Sequence, residues 1–249
     1  MNVSDIIKGG EYERSVKQWE SKTDEEKQAI LDENKRAQEE ESKKRQEEAL
    51  AEQERRRQEK RILKTGIKPL HRLCTFDNYV AANEAQQVAL EKCKEYAREL
   101  GFGGFVFSGS TGTGKNHLAS AICMEFHKRE KNVMMVTVNK MMRTFKDTMR
   151  DNAKYTENDL INELVELDLL VIDEIGLQRA SEYTNQILND VIDSRQVEMK
   201  PTGILTNLNY DDLKVNLGNR IVDRLSYDGM WISFNWESYR KNKPVGLNS

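Results

Sequence analysis

The feature that most restricts the fold is a glycine-rich loop between an apolar strand and a helix. The chain reads Gly109-Ser-Thr-Gly-Thr-Gly-Lys115-Asn116, directly after the apolar segment 104–108 and before a helical segment, 118–130. This is the G-x-x-x-x-G-K spacing of a phosphate loop, in the strand–loop–helix setting that such a loop requires. A glycine-rich turn with a chance lysine would rarely combine all of these elements.

The loop predicts a site for ATP or ADP. Its glycines let backbone N–H groups surround phosphates, and the following helix directs its positive end at them. We expect Lys115 to place its cation against the β- and γ-phosphates. The predicted nucleotide contacts here are Gly109, Ser110, Thr111, Gly112, Thr113, Gly114, Lys115, Asn116 and His117.

A second element, an apolar strand that ends in two carboxylates, supports the same site. Leu169-Leu-Val-Ile is followed by Asp173 and Glu174, which is the Walker B pattern. We expect Asp173 to hold Mg²⁺ and Glu174 to orient and deprotonate the attacking water. A glutamate immediately after the aspartate favours hydrolysis over a kinase-like transfer.

One position departs from the usual phosphate loop. The motif normally ends in Ser or Thr, whose hydroxyl ligates Mg²⁺ directly, but this chain has Asn116. Its amide oxygen can coordinate a hard cation, although it is bulkier and reaches from a different geometry. We therefore expect nucleotide binding to be retained and turnover to be slow.

Short apolar strands alternate with helical segments, which predicts an α/β fold with a five-stranded parallel sheet covered on both faces. One of the helices is predicted over 81–100. The predicted strands are 104–108, 133–138, 167–172, 203–206 and 231–234.

The N-terminal region has a different composition, and we predict that it is α-helical. From Glu20 to Arg61 it consists almost entirely of Glu, Lys, Arg, Gln and Ala, which favour a long solvated helix. Before it, Tyr12, Val16 and Trp19 share one helical face. They form either a small internal cluster or a stripe that docks a partner.

Bulk properties exclude several classes of protein. A net charge of −3 argues against a uniformly basic nucleic-acid binder, so any such surface must be local. No signal peptide or membrane-spanning run is visible. The cysteines Cys74, Cys93 and Cys123 lack zinc-site spacing, and we interpret them as reduced thiols in a cytoplasmic protein.

Several sequence runs resemble those of the DnaC-type bacterial helicase loaders. They are GIKPLHRLCTFDNY, GTGKNHLA, DLLVIDE, KPTGILTN, GNRIVDR and FNWESYR, and the similarity covers roughly Lys64 to Arg240. The resemblance implies an AAA+ P-loop ATPase domain without a helical lid at 81–249. A linker at 64–80 would border the nucleotide, and residues 1–63 would form a helicase-binding region and spacer.

The resemblance also implies roles for individual residues. Asn207 matches the sensor 1 position near the γ-phosphate, and Arg240 matches the sensor 2 arginine. Arg220 and Arg224 match the segment that carries the arginine finger, with Arg224 preferred as the residue that acts on a neighbouring subunit's ATP. The linker residues Cys74, Thr75 and Phe76 would border the adenine.

A basic segment between the second and third predicted strands matches the helix that contacts single-stranded DNA in similar loaders and initiators. Arg143, Lys146 and Arg150 are predicted to share one face of this helix, over 141–151. A solvated helix face is the alternative.

Together these features predict an ATP-switched loader. It would bind a hexameric DnaB-type replicative helicase, self-associate into an ATP-dependent spiral and hold single-stranded DNA. Two alternatives stay open. One is a transposition helper ATPase resembling IstB, and the other is a nucleotide-gated adaptor that binds its partner with negligible hydrolysis.

Overall fold

A computed structural model describes residues 18–101, 103–150, 153–176, 181–227 and 229–239. Tyr12 and Val16 of the predicted docking stripe lie outside these ranges. The fold divides between Lys60 and Arg61 into two compact units. Within the described chain, no helix is long and apolar enough to cross a membrane.

The charged N-terminal region forms one long helix, α1, from Asp24 to Lys64. It begins later than the predicted Glu20 because Thr23 and Glu26 form a capping box. The Glu26 N–H donates to Thr23 Oγ1 (3.3 Å), and the Thr23 N–H donates to a Glu26 carboxylate oxygen (2.9 Å). Its described side chains are mostly exposed, as expected for a solvated helix, and Trp19 just before it is 37% exposed.

Five parallel strands form one sheet in the order β2-β3-β4-β1-β5, which confirms the predicted fold class. Their bounds agree with the predicted ones to within three residues. The strands are β1 (Phe105–Gly109), β2 (Val133–Thr137), β3 (Leu169–Ile175), β4 (Thr202–Thr206) and β5 (Met230–Phe234).

Helices cover both faces of the sheet because successive strand residues point to opposite sides. Phe105 and Phe107 of β1 face a core shared with α3 and α4, whereas Val106 faces a core shared with α5 to α9. The helices after α1 are α2 (Pro69–Arg72), α3 (Glu84–Arg98), α4 (Lys115–Lys128), α5 (Val138–Asp147), α6 (Glu157–Glu166), α7 (Glu182–Val197), α8 (Tyr210–Leu217) and α9 (Asn219–Tyr227).

The register between β3 and β4 breaks between Ile172 and Ile175. The break falls on Asp173 and Glu174, and Glu174 has a positive φ of 65°. Such irregularities bend a strand locally and redirect the side chains beside them. The two carboxylates therefore leave the sheet just where it meets the phosphate loop.

A buried arginine ties the end of α6 and the loop before β3 to the start of β4. Arg195 on α7 is fully buried and donates to Thr202 Oγ1 (3.0 Å) and to the carbonyls of Leu164 (2.5 Å), Leu167 (2.9 Å) and Pro201 (2.6 Å). Burial lowers the pKa of Arg195 to about 10, so the side chain stays charged at neutral pH. Its hydrogen bonds satisfy the carbonyls of Leu164 and Pro201 in buried surroundings and that of Leu167 in partly buried ones.

Replacing Arg195 with Met should therefore lower the free energy of unfolding by about 3 kcal/mol or more. Each buried polar group left without a partner costs about 1–3 kcal/mol. Urea denaturation followed by circular dichroism measures the loss. The matched control is Arg45→Met on α1, where the arginine side chain is 75% exposed in an i,i+4 ion pair with Glu41. It should change stability by less than about 0.5 kcal/mol, and equal effects of the two substitutions would contradict the role given to Arg195.

Candidate nucleotide site

A cavity of about 770 Å³ opens at the carboxyl edge of the sheet. Its walls include the phosphate loop and the start of α4 (residues 111–117), Asp173 and Glu174 near the end of β3, and Asn207 after β4. Segments of the linker at 68–80 form another wall. The volume suits a ligand of nucleotide size, and elements distant in sequence meet there because parallel strands end at one edge.

Lys115 is the main cation of this cavity. Its Nζ donates to the carbonyls of Gly109 (2.5 Å) and Ser110 (2.8 Å) and to Asn207 Oδ1 (3.0 Å). Burial lowers the pKa of Lys115, and the nearby Asp173 carboxylate partly offsets this. These neutral acceptors leave the ammonium charge available for an anion, so the site fits a phosphate.

The start of α4 lacks a side-chain cap. Gly114 precedes it with φ 99°, and no side chain accepts from the first N–H groups of the helix. A Cβ atom at Gly114 would lie 2.9 Å from the Tyr79 ring, in a backbone conformation that L side chains rarely adopt. The glycine therefore keeps these N–H groups open to phosphate oxygens.

Asp173 is held by two hydrogen bonds. Asn116 Nδ2 donates to Asp173 Oδ2 (2.6 Å), and the Glu174 N–H donates to Asp173 Oδ1 (2.7 Å). The residue that replaces the usual Ser or Thr thus orients the Walker B aspartate.

Asn207 links the phosphate loop to the end of β4. Its Oδ1 accepts from Lys115 Nζ, and its Nδ2 donates to Thr111 Oγ1 (3.3 Å). These contacts place Asn207 beside the phosphate loop, and its predicted role at the γ-phosphate stays a prediction.

Mg²⁺ fits the donor set as a partner of the nucleotide. Among the described residues, no three His, Cys, Asp or Glu side chains converge on one point. The Asp173 carboxylate and the Asn116 amide oxygen are hard donors of the kind that Mg²⁺ prefers, with phosphate oxygens and waters as the remaining ligands.

The linker closes one side of the cavity. Cys74 lines it, and burial raises the pKa of its thiol. His117 Nε2 lies 2.9 Å from the Thr75 carbonyl, and its ring contacts Tyr79 edge-on at 5.2 Å. His117 therefore ties α4 to the linker.

Phe76 was predicted to border the adenine, but it does not line this cavity. Its ring packs against the buried core shared by α3, α4 and the sheet, and the linker residues lining the cavity include Cys74, Asn78 and Tyr79 instead. The large apolar ring gains more by burial than by contact with a partly open cavity.

The two arginines of α9 converge on one carboxylate of α7. Arg224 Nη1 pairs with Asp193 Oδ1, and Arg220 Nη2 lies 3.4 Å from Asp193 Oδ2. The Arg220 side chain is 72% exposed and that of Arg224 is 30% exposed.

Arg224 also borders a small cavity with Gly104 and Thr202, at the amino edge of the sheet. It therefore lies at the opposite edge from its own phosphate loop.

Two aromatic residues after β5, Trp236 and Tyr239, support the phosphate loop and were not predicted. Trp236 Nε1 donates to the Thr113 carbonyl (2.8 Å), and the Tyr239 N–H donates to the Gly112 carbonyl (2.9 Å). Both belong to the run FNWESYR, whose pattern gave no sign of these contacts. Arg240, the predicted sensor 2 residue, lies outside the described residues.

The predicted DNA-contacting helix is shorter than expected. Helix α5 ends at Asp147, so the hypothesis that Arg150 shares its face with Arg143 and Lys146 is wrong. Arg150 lies beyond the helix and pairs with Asp147 at 3.0 Å. Arg143 and Lys146 are exposed on α5, while Met141, Met142 and Phe145 are buried in the core.

Comparison with known proteins identifies relatives of the whole domain. The sequence profile of the family described as IstB-like ATP binding protein matches residues 18–245. Over 180 residues the chain is 46% identical to the replicative helicase loader DnaC of Escherichia coli strain K12, an alignment that covers 71% of this chain and 73% of that protein.

Two solved structures share the fold. A DnaC helicase loader superposes with a TM-score of 0.59 at 21% identity, over 67% of this chain and 99% of that chain. A replication initiator DnaA bound to AMPPCP and single-stranded DNA gives a TM-score of 0.59 at 21% identity. That match covers 69% of this chain and only about half (51%) of the DnaA chain.

Proposed function

The chain belongs to the IstB-like ATP-binding family and to the DnaC-type helicase loaders with an AAA+ fold, and on this premise we propose that it is an ATP-switched loader of a DnaB-type helicase. The observation that carries the proposal is the meeting of Lys115, Asn116, Asp173 and Asn207 in one cavity. ATP binding would favour the loading state, and slow hydrolysis would reset it.

Hydrolysis would use residues that already surround this cavity. Glu174 accepts a proton from water, whose oxygen bonds to the γ-phosphorus. The bond from that phosphorus to the bridging oxygen breaks, and ADP leaves with the electron pair. Lys115 and Asn207 stabilise the charge on the transferring phosphoryl group. Asp173 and Asn116 would hold Mg²⁺, which would supply positive charge beside the phosphate oxygens.

The helicase would bind the N-terminal region, residues 1–63. The support is that α1 is a long helix with mostly exposed side chains, preceded by the exposed Trp19. Single-stranded DNA would contact the exposed cations of α5 and the segment after it, Arg143, Lys146 and Arg150. Self-association into a spiral would place the α9 arginines of one subunit against the nucleotide of the next, in the cytoplasm where replication proceeds.

Co-purification tests which protein the chain binds, a helicase or a transposase. Full-length protein should retain a DnaB-type helicase in ATP, and retention should fall when Trp19 is replaced with Ala. The matched control is Tyr155→Ala, an exposed aromatic residue (51%) remote in sequence from the N-terminal region. An IstB-like transposition helper would retain a transposase and leave the helicase unbound. A nucleotide-gated adaptor would retain the helicase without measurable ATP turnover.

Asn116 gives a prediction specific to this site. Replacing it with Thr should supply the hydroxyl ligand that phosphate loops normally offer to Mg²⁺, and kcat should rise several-fold at saturating Mg²⁺. Phosphate release measured with wild type, Asn116→Thr and Asn116→Ala tests this. The Ala variant lacks both the ligand and the hydrogen bond to Asp173, so its kcat should fall. If Asn116→Thr and Asn116→Ala lower kcat equally, Asn116 acts through Asp173. The proposal that Asn116 slows turnover because it is a poorer Mg²⁺ ligand than Thr is then wrong.

A further inference from the structure

The carboxylate of Asp193 on α7 is shared by the two arginines of α9. Arg224 Nη1 contacts Asp193 Oδ1, and Arg220 Nη2 lies 3.4 Å from Asp193 Oδ2. Apart from its contact with Arg224, Asp193 Oδ1 is a buried atom with no hydrogen-bond partner among the described residues. A buried carboxylate oxygen that loses its positive partner is destabilising, so the packing here favours the conformation in which Arg224 faces Asp193.

The helices that carry these three residues are held in place by the core. Ile192, next to Asp193, and Ile221 and Leu225, each next to one of the arginines, are buried in the same apolar core. The side chains of both arginines reach solvent. Because closely packed cores resist displacement, a change of ion-pair partner at this place is a movement of side chains rather than of helices.

The ion pair with Asp193 competes with the role proposed for Arg224. A guanidinium that stabilises a transferring phosphoryl group directs its N–H groups at phosphate oxygens. Within this single subunit Arg224 directs Nη1 at its own Asp193 instead. The arginine therefore has to exchange one anionic partner for another before it acts on a neighbouring nucleotide.

Arg220 gives Asp193 a substitute partner during that exchange. It lies one turn before Arg224 on the same face of α9, already contacts the carboxylate at 3.4 Å, and has a side chain that is 72% exposed. When Arg224 leaves, Arg220 closes on the carboxylate and keeps it paired. The two arginines therefore have different roles, although they contact the same residue.

We propose that Asp193 masks the arginine finger of an unassembled subunit, and that a neighbour's nucleotide releases Arg224 while Arg220 takes over the carboxylate. This inference rests on the proposed self-association and on the action of Arg224 between subunits. A triphosphate carries more negative charge than one carboxylate, so it attracts the guanidinium more strongly once a neighbour brings it close. Breaking the ion pair opposes assembly, so the mask raises the protein concentration that half-maximal turnover requires.

Asp193→Asn tests the mask, because it keeps the shape of the side chain and removes its charge. In a titration of protein at saturating ATP and Mg²⁺, the concentration that gives half-maximal turnover should fall about fivefold, the size expected for a partly exposed ion pair. The kcat at saturating protein should keep its wild-type value, and Asp193→Glu should restore the wild-type curve. A higher half-maximal concentration or a lower kcat in Asp193→Asn would overturn the proposal, because Asp193 would then hold Arg224 in its active position.

The matched control is Asp190→Asn, which changes an exposed carboxylate on the same helix. It makes the same change of charge and should keep the wild-type titration curve. An equal shift in Asp190→Asn and Asp193→Asn would reflect the net charge of the protein and would overturn the mask.

Arg220→Gln tests the exchange of partners independently. Without the substitute cation, Asp193 retains Arg224 more firmly, so the half-maximal concentration should rise several-fold when Asp193 is present. In the Asp193→Asn background the same substitution should have no effect, because no carboxylate is left to pair. Equal effects of Arg220→Gln in both backgrounds would overturn the role given to Arg220.

Failure of the mask is distinguishable from failure of the proposed function. If wild-type turnover per subunit rises with protein concentration and Asp193→Asn follows the same curve, assembly stands and the mask is overturned. If wild-type turnover per subunit does not depend on concentration, Arg224 does not act between subunits, and the proposed spiral fails together with the mask. If wild type shows no turnover, the proposed ATPase function fails, while sedimentation in ATP still decides the mask, since Asp193→Asn should assemble at a lower concentration than wild type.

Discussion

Arg224→Ala is expected to lower ATP turnover about a thousandfold or more while ATP binding stays intact. An arginine finger stabilises charge that develops only in the transition state, and its removal typically costs about 10³–10⁵ in kcat. Arg224 lies at the amino edge of the sheet and pairs with Asp193, so it cannot reach the phosphate loop of its own chain. The expected loss of turnover would therefore come from its action on the nucleotide of a neighbouring subunit, as proposed above.

Arg220→Ala is the comparison for this prediction, because Arg220 lies one turn earlier on the same helix and contacts the same carboxylate at 3.4 Å. Its side chain is more exposed than that of Arg224. If Arg220→Ala lowers ATP turnover a thousandfold and Arg224→Ala lowers it only slightly, the arginine finger is Arg220.

Mixing two inactive variants tests whether the finger acts between subunits. Arg224→Ala keeps an intact phosphate loop, and Lys115→Ala keeps an intact finger, so mixed assemblies contain some complete sites. ATP turnover in the mixture should exceed the sum of the two separate variants. If turnover is not rescued at any ratio, although crosslinking confirms mixed assembly, Arg224 does not act on the neighbouring subunit's nucleotide.

Lys115→Ala should weaken ATP binding about a hundredfold or more. The buried ammonium is the main cation of the cavity. Hydrogen bonds to charged groups contribute about 1.5–3 kcal/mol each, and every 1.4 kcal/mol is a factor of ten in affinity. Titration with a fluorescent ATP analogue measures the change.

Glu174→Gln is the companion variant. It removes the general base but keeps the shape of the side chain, so ATP binding should stay within a few-fold of wild type and hydrolysis should cease. An equal loss of binding in Lys115→Ala and Glu174→Gln would contradict the separate roles given to the two residues.

Much of the fold could be predicted because its signals are local. Apolar runs and the glycine-rich loop indicate parallel strands and the phosphate site, and the five-stranded sheet confirms this. Helix ends were harder to predict, because they depend on caps such as Thr23 for α1 and Asn83 for α3, whose side chain accepts from the Gln86 N–H at 2.9 Å. The early end of α5 likewise separated Arg150 from the helix face predicted for it.

Contacts between distant segments could not be read from spacing. The hydrogen bond from Trp236 to Thr113 joins residues 123 positions apart, and Lys115 meets Asn207 across 92 positions. The pairing of Arg224 with Asp193 depends on how α7 packs against α9. Such contacts arise from the packing of helices on the sheet. The periodicity of a single segment carries no information about that packing.

Helicase loading onto closed circular single-stranded DNA tests the central claim most directly, because a closed ring of helicase cannot thread onto a circle without ends. The assay measures unwinding of a strand annealed to the circle by a DnaB-type helicase. Wild-type protein with ATP should raise the unwinding rate well above that of helicase alone, and Lys115→Ala should give no increase. Equal unwinding with and without the wild-type protein, while the two proteins co-purify, would contradict the assignment as a loader.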